Sequence, residues 1–193
     1  GFVTDSIEHA LSAGDVARAA RVVEKCRRDE LAADRWYAVE RWLAMLPADV
    51  KQQRPELLLT EAWIANCRFH VARIPTIVES VERLLRDQTA EPTVWGELAY
   101  FRGFLEYWEG QAECSQQHLE ESLSKLSGEK SPYEGEAELM LGLALSMNGQ
   151  EDLAIQRLED RIERLDPAEG QLLSRLLAGL AFIHLVCGEL HLA

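Results

Sequence analysis

Apolar residues recur along most of this chain at intervals of three and four positions, which is the period of an amphipathic α-helix. No stretch sustains the alternation of apolar and polar residues that a half-buried strand requires. Glycine, proline and capping residues divide the pattern into about ten helices, which predicts an all-α fold. The predicted helices end at Ala13, Pro47, Arg86, Glu109, Leu126, Met147, Leu165 and Val186, and the predicted starts are Asp15, Trp36, Pro55, Val71, Pro92, Gln111 and Pro132.

The connections between these helices are short. The most loop-like segments are 127–131 and the Asp166-Pro167 pair, and neither is long enough to separate two domains. We therefore expect one helical-repeat domain over residues 1–193. Because the chain starts without methionine and stops five residues after a turn, we also expect it to be excised from a larger protein.

A second pattern repeats on a longer scale. Turn-like positions occur at Gly14, Cys67, Gly110, Gly149 and Gly188, and the last two intervals are equal, since 149 − 110 = 188 − 149 = 39. Small side chains mark most positions seven residues before and five residues after each turn: Ile7, Thr60, Gly103, Gly142 and Ala181 before, and Ala19, Ala72, Ser115, Ala154 and Ala193 after. Helices cross closely where both present small side chains, so the pattern predicts stacked antiparallel helix pairs.

The second helix of each predicted pair resembles the tetratricopeptide (TPR) pattern, in which a small residue is followed four positions later by a large apolar one. The pairs are Ala19/Val23, Ser115/Leu119 and Ala154/Leu158, with a weaker pair at Ala72/Thr76. The resemblance implies a TPR-like α-solenoid of stacked antiparallel helix pairs that forms a right-handed superhelix. The spacing of 39 or more residues is longer than the usual 34, which indicates lengthened repeats.

Two stretches resemble a narrower family. Residues 5–15 read DSIEHALSAGD, and residues 41–47 read RWLAMLP, followed by RPEL at 54–57 and by Ala62-Trp63. In this order they are similar to the region that opens the helical repeats of MalT-like, LuxR-type ATP-dependent transcriptional regulators. The resemblance covers residues 1 to about 70, and beyond them only the general repeat pattern continues.

This resemblance implies a regulator with an N-terminal nucleotide-hydrolysing domain, a superhelical sensor arm and a C-terminal helix-turn-helix. The chain has no G-x-x-x-x-G-K-[ST] motif and no basic recognition helix, so it corresponds to the sensor arm alone. We expect a non-enzymatic module in which a small-molecule inducer or a protein partner occupies the concave groove. The alternative is a freestanding TPR-like scaffold that binds a basic peptide or helix.

Charge narrows the choice of partners. The formal net charge is −13, and it is uneven: residues 1–100 hold 13 basic against 16 acidic residues, and residues 101–193 hold 7 against 17. Such a surface repels phosphate backbones, so we expect no direct nucleic-acid binding. The acidic second half serves solubility, or it attracts a basic partner. No run is apolar enough for a membrane span, and four widely spaced cysteines favour reduced thiols in a cytoplasmic protein.

Candidate groove residues follow from the resemblance, because in TPR arrays the first helix of each pair lines the concave face. The predicted groove residues are Arg54, Glu61, Glu97, Tyr100, Phe104, Tyr107 and Arg175. Three of them are aromatic and share one helix face, and packing in the core between repeats is the alternative for them. On the other side of that helix we expect Trp95, Phe101, Leu105 and Trp108 to pack inside.

Catalytic and metal chemistry find little support. Paired carboxylates such as Glu120/Glu121 lie on predicted outer faces, where acid–base catalysis lacks a pocket. His184 and Cys187 share a face, but no further ligands are spaced to complete a metal site. We expect no catalytic residues, no metal and no cofactor. A homo-oligomer is compatible with the predicted fold, because the ends of a solenoid expose apolar surface unless they are capped.

Overall fold

The computed structural model describes residues 2–126, 132–165 and 170–188. Every regular element in these ranges is a helix, so the all-α prediction is confirmed for them. The α-helices in chain order are α1 (Phe2–Ser12), α2 (Val16–Ala32), α3 (Trp36–Met45), α4 (Ala48–Gln52), α5 (Pro55–Cys67), α6 (Ile74–Asp87), α7 (Pro92–Trp108), α8 (Ala112–Leu126), α9 (Pro132–Met147), α10 (Glu151–Glu163) and α11 (Gly170–Val186).

Two short elements were not predicted. Helix α4 follows Pro47 directly, and a 3-10 helix over Val71–Arg73 precedes α6. Helix α6 therefore starts at Ile74 rather than at Val71, with Pro75 in its first turn, where a missing backbone N–H is tolerated. The predicted loop at 127–131 and the predicted break at 166–167 lie outside the described residues.

The chain divides into two compact units, Gly1–Leu98 and Ala99–Ala193, and the boundary falls inside α7. In the first unit α1 packs on α2, α2 on α3, α3 on α5, and α5 on α6. In the second unit α8 packs on α9, α9 on α10, and α11 on both α9 and α10. Helices adjacent in sequence are thus mostly neighbours in space, as short connections require. The single-domain interpretation stays a prediction.

No helix in the described ranges combines the length and the apolar composition that crossing a lipid bilayer requires.

Left-handed backbone conformations end several helices. At the end of α7 the Gln111 N–H donates to the Glu106 carbonyl at 2.8 Å, and the Gly110 N–H donates to the Tyr107 carbonyl at 3.1 Å. This is the Schellman arrangement, which satisfies carbonyls that the helix end leaves open. Four predicted turn glycines have positive φ angles of 74°, 77°, 71° and 82°, namely Gly14, Gly110, Gly149 and Gly188.

The predicted turn at Cys67 is wrong by two residues. Cys67 is the last residue of α5, and the left-handed residue of this turn is Phe69, with φ of 56°. The repeat pattern shifts with it: the position seven residues before the turn is Ala62 and the position five residues after it is Ile74. Both are fully buried, whereas the predicted Ala72 is exposed. The side chain at the second position is thus large here, although the spacing is conserved within the chain.

Close helix crossings occur at the small positions of the second unit. A Cβ atom built on Gly103 would lie 2.6 Å from Leu119 Cγ and 3.0 Å from the Ser115 carbonyl oxygen. On Gly142 it would lie 2.9 Å from two carbon atoms of Leu158. The Ser115 hydroxyl also donates to the Gly103 carbonyl at 2.8 Å. Small residues therefore lie where α7 meets α8 and where α9 meets α10, and the space is limited by a backbone oxygen at Gly103 but only by the Leu158 side chain at Gly142.

Candidate functional site

A cleft of about 450 Å³ opens in the first unit at the start of α5. Its walls come from α2, from α4 and the two residues that follow it, from the first residues of α5 and from the residue that follows α6. The lining residues are Ala17, Glu24, Val50, Gln53, Arg54, Pro55, Glu56 and Gln88. The volume lies within the range of small-molecule sites. Five of the eight lining side chains are charged or carry an amide.

Local chemistry fixes the chain at this point. Pro55 occupies the first turn of α5, and the residue before a proline is driven to an extended backbone. Arg54 has φ of −127° and ψ of 109°, so the chain leaves α4 extended and turns into α5 at the cleft. Pro55 is buried, which anchors this corner. The cleft is thus formed by a fixed helix start rather than by a long loop.

Arg54 and Glu24 form the central contact of the cleft. One guanidinium nitrogen, Nη1, donates to both Glu24 carboxylate oxygens, at 2.9 and 3.0 Å. Burial raises the pKa of Glu24, the ion pair with Arg54 opposes the rise, and the nearby Glu56 adds to it. The carboxylate is therefore held in a partly desolvated position by one cation, next to a second carboxylate.

Glu56 supplies the second negative charge. It lies in the first turn of α5, where a carboxylate is stabilised by the positive end of the helix dipole. Its side chain is half-buried and makes no ion pair within the part of the chain that the structure describes. Counting Glu24 and Glu56 against Arg54 leaves the cleft with a formal charge of −1.

Two of the predicted groove residues of the first unit are engaged by other side chains. Glu61 accepts from Lys51 at 2.9 Å, which ties α5 to α4 outside the cleft lining. Glu97 is 0% exposed, and its carboxylate accepts two hydrogen bonds, of 2.8 and 2.7 Å, from the Arg27 guanidinium. Arg28 lies 3.5 Å from the same carboxylate and also donates to Thr93 at 2.6 Å. Glu97 acts as the counter-charge of a buried arginine.

The predicted aromatic face lies in the second unit and is mostly closed. Tyr100 is 1% exposed and Phe104 is 6% exposed, with their ring centroids 6.2 Å apart. Tyr107 is half-buried, and burial raises the pKa of its hydroxyl. The expectation that Trp108 packs inside is wrong: its side chain is 65% exposed and meets Tyr107 edge-on. Trp108 is the last residue of α7, one turn after buried Phe104, and its side chain reaches solvent.

Arg175 of α11 forms an ion pair with Glu136 of α9, and Arg175 is exposed whereas Glu136 is buried. The seven predicted residues are therefore divided between the two units: Arg54, Glu61 and Glu97 belong to the first, and Tyr100, Phe104, Tyr107 and Arg175 belong to the second. Of these seven predicted residues, only Arg54 lines the cleft.

Sequence reasoning missed the other polar residues of the cleft, which are Glu24, Gln53, Glu56 and Gln88. Glu24 lies 30 positions before its partner Arg54, and neither residue has a neighbour in sequence that indicates the pairing. Glu56 could have been noticed as an acidic residue directly after Arg54-Pro55 in a helix start. In the described ranges no group of three histidine, cysteine or acidic side chains is placed to hold a metal ion.

Part of the chain is similar in sequence to known proteins. The chain is similar to proteins described as HTH-type transcriptional regulator MalT. It is 29% identical to that of Serratia proteamaculans over 91 residues, which is 47% of this chain and 10% of the relative. It is 27% identical over 88 residues to those of Yersinia pestis and Yersinia pseudotuberculosis, which is 46% of this chain and 10% of each relative.

No family model and no solved structure matches the chain. The match to the curated relatives thus spans only about a tenth of their length. Within that limit, this chain contains a helical segment related in sequence to part of the MalT transcriptional regulators.

Proposed function

We propose that this chain is a non-enzymatic sensing arm of a cytoplasmic MalT-like, LuxR-type transcriptional regulator, built as a right-handed TPR-like solenoid. The observation that carries the proposal is the 29% identity over 91 residues to the MalT regulator of Serratia proteamaculans. The all-helical architecture and the repeated turns support it. Domains outside this chain hydrolyse nucleotide and bind DNA, and an inducer or partner acts on them through the arm.

The cleft at the start of α5 is the receiving site in this proposal. It contains Arg54, which the repeat pattern assigned to the groove, and its rim amides Gln53 and Gln88 are exposed. By contrast, Tyr100, Phe104 and Glu97 are buried in this structure and offer little surface to a ligand. The acceptor and donor groups of an occupant would therefore meet Arg54, Glu56 and the two amides.

An occupant of this cleft touches four separate segments at once, because the lining comes from α2, α4, the start of α5 and the residue after α6. It therefore stabilises one arrangement of these segments over others. A ligand shifts a two-state equilibrium only by the difference of its affinities for the two states. A cleft shared by several short elements provides such a difference, since relative motion of the elements changes its shape.

The test is a thermal-shift screen of the protein against a metabolite library. Compounds that raise Tm are then measured on Gln88→Arg, which places a long cationic side chain on the exposed rim of the cleft. Gln52→Arg is the matched control, because Gln52 is also exposed but does not line the cleft. We expect stabilisation to be lost in Gln88→Arg and kept in Gln52→Arg. Equal shifts in both variants would place the ligand elsewhere and reject the cleft as the sensor.

The full gene distinguishes the regulator from the alternative of a freestanding scaffold that binds a basic peptide or helix. A phosphate-binding loop G-x-x-x-x-G-K-[ST] upstream and a helix-turn-helix downstream support the regulator. If neither is encoded, the acidic second half becomes the surface to test, with a basic helical peptide titrated against the folded protein.

A further inference from the structure

We infer that the cleft at the start of α5 binds a ligand group with one positive charge, an alkylammonium or a guanidinium. The inference rests on the proposed function, because it names the ligand chemistry of the same cleft. It is carried by the charges, the burial and the contacts of the lining residues.

The charge balance of the cleft is incomplete by one cation. Arg54 is committed to Glu24 through two contacts of 2.9 and 3.0 Å, and this pair is mutually neutral. Glu56 remains, half-buried and without an ion pair within the described residues. A partly desolvated carboxylate next to a second one gains most from a cation, because the attraction is less screened than in water.

Anionic ligands are disfavoured by the same residues. Among the residues that the structure describes, Arg54 is the only cation that lines the cleft, and approach to it brings an anion near both Glu24 and Glu56. The like-charge repulsion exceeds what the remaining guanidinium N–H groups can offer, since one cation faces two carboxylates. The start of α5 offers an anion few backbone donors, because Pro55 has no N–H and the Leu57 and Leu58 N–H groups donate to the Arg54 carbonyl.

The neutral part of the lining suits an alkyl stem that ends in the cation. Ala17, Val50 and Pro55 provide apolar surface, and Pro55 is buried. The amides of Gln53 and Gln88 can accept hydrogen bonds from the remaining N–H groups of the cation. Lysine-like groups use this combination, since their methylene chains lie along apolar surface while the charged end meets acceptors.

Such a group has two sources, a free amine or the side chain of a partner protein. We would measure binding of 1,4-diaminobutane and of the blocked tripeptide acetyl-Gly-Lys-Gly-amide by titration calorimetry. The tripeptide with norleucine in place of lysine is the uncharged control. Binding of the diamine alone assigns a metabolite, and binding of the lysine peptide alone or more tightly assigns a protein side chain. Binding of neither overturns the inference.

The site is located with Glu56→Gln, which removes the unpaired charge and leaves the Arg54–Glu24 pair in place. We expect roughly tenfold weaker binding of the cation, the size of one lost charged hydrogen bond. Glu79→Gln is the matched control, because Glu79 is exposed on α6 and outside the lining. If cation binding weakens equally in both variants, the change in the net charge of the protein explains the loss, and the inference is overturned.

A second variant is needed because Glu56 also stabilises the start of α5, so Glu56→Gln could weaken binding by destabilising the fold. Gln88→Glu adds a carboxylate to the exposed rim without removing any contact seen in the structure. We expect it to tighten amine binding by a factor of roughly three or more. If Glu56→Gln lowers only Tm and Gln88→Glu leaves amine affinity unchanged, then Glu56 serves the helix start alone and the inference is wrong.

The outcomes for the inference and for the proposed function are separable. Neutral compounds that stabilise the protein and are blocked by Gln88→Arg, or anionic compounds that bind more tightly to Gln88→Arg than to Gln52→Arg, would retain the sensing function while the cationic ligand class fails. Amines that bind through Glu56 support both. Absence of any cleft-dependent ligand in the screen and in the amine titrations rejects both.

Discussion

Phe69 combines a left-handed backbone with an almost fully exposed aromatic side chain. Its φ is 56°, and its side chain is 89% exposed at the turn after α5. Glycine occupies the corresponding position after α1, α7, α9 and α11, because a Cβ atom crowds the backbone in this conformation. A bulky residue here carries a steric cost that no burial offsets.

Replacing Phe69 by glycine should therefore stabilise the protein. We expect Phe69→Gly to raise the free energy of unfolding by about 1 kcal/mol. The substitution removes left-handed strain of roughly 1–2 kcal/mol, but part of this gain is cancelled because glycine loses more backbone entropy on folding. The reverse change, Gly14→Ala, should lower it by a similar amount, because a Cβ there meets nothing within 4 Å and only the backbone of φ 74° opposes it. Urea unfolding measures both. A loss of stability in Phe69→Gly would contradict this account.

Glu24 should make stability depend on pH in a direction opposite to that of most carboxylates. Burial raises its pKa above 4.5, so the folded state binds this proton more tightly than the unfolded state. The group therefore lowers stability once the pH rises through the folded pKa, and this loss is absent below about pH 4.5. Relative to Glu24→Gln, the wild type should gain stability as the pH falls from about 7 to about 5.

Glu30 is the control for Glu24, because its pKa is shifted in the opposite direction. Hydrogen bonds from Arg35 hold the pKa of Glu30 below 4.5. Its contribution is therefore present above the unfolded pKa and is lost only as the pH falls through the lower folded value. Relative to Glu30→Gln, the wild type should show no gain between about pH 7 and about pH 5. Unfolding midpoints in urea at both pH values decide between the two signs.

At the scale of elements, helix pairs are held by two kinds of contact. Small residues allow close crossings, as where Gly103 of α7 faces Leu119 and Ser115 of α8. Charged residues join helices that are distant in sequence, as where Arg27 of α2 meets Glu97 of α7. The first kind depends on side-chain volume, and the second depends on the mutual satisfaction of buried groups.

Enlarging Gly103 should separate α7 from α8. We expect Gly103→Ala to lower the free energy of unfolding by roughly 1–3 kcal/mol, the range for overpacking a tight contact. The new Cβ would meet Leu119 Cγ at 2.6 Å and a backbone oxygen at 3.0 Å, and backbone cannot give way easily. Gly170→Ala is the matched control in α11, because nothing lies within 4 Å of its Cβ position. Thermal unfolding of both variants gives the comparison, and equal Tm values would refute the close crossing.

Breaking the Arg27–Glu97 pair should be strongly destabilising. Both side chains are at most 1% exposed, so Arg27→Met leaves Glu97 buried with only the more distant Arg28, and we expect a loss of about 3 kcal/mol. The double variant Arg27→Met/Glu97→Met should lose less than the sum of the two single variants. Arg35→Met, which removes an exposed pair with Glu30, should leave stability nearly unchanged. Additive effects in the cycle would contradict direct coupling.

At the scale of the whole molecule, negative charge is the dominant feature. The chain carries −13, and the net charge of residues 101–193 is −10 from 7 basic and 17 acidic residues. Self-repulsion of this size lowers the stability of a folded state, and dissolved ions screen it over distances of roughly 10 Å at 0.1 M. The buried Arg27–Glu97 pair and the half-buried Arg54–Glu24 pair are shielded from these ions.

Salt should therefore stabilise this protein. We expect Tm to rise by a few degrees when NaCl increases from about 10 mM to about 0.3 M, because repulsion is screened more than the buried pairs are. The triple variant Glu113→Gln/Glu159→Gln/Asp160→Asn removes exposed charges of the second unit and should show a smaller rise. Circular dichroism at both salt concentrations tests this, and a fall of Tm with salt would show that ion pairs outweigh repulsion.

Local sequence patterns specify the helices, their approximate ends and most of their turns. Apolar period, capping residues and glycine act over a few neighbouring residues, so the turns at Gly110 and Gly149 could be read directly. Gly103 and Gly142, at two of the close crossings, followed from the repeat spacing, whereas Gly135 and Gly179, which are equally crowded, did not. The turn after α5 was misplaced because Phe69, rather than glycine, adopts the left-handed conformation, and sequence preference gives no signal for it.

Which charged residues form pairs depends on how the helices pack, and local sequence patterns do not show it. Glu97 was predicted to face a groove but pairs with Arg27, 70 positions away, and Glu24 reaches Arg54 across 30 positions. Such pairs depend on how helices are packed and rotated against one another, which local periodicity does not specify. The cleft at the start of α5 could not be predicted from the sequence, because its lining residues come from segments that only packing brings together.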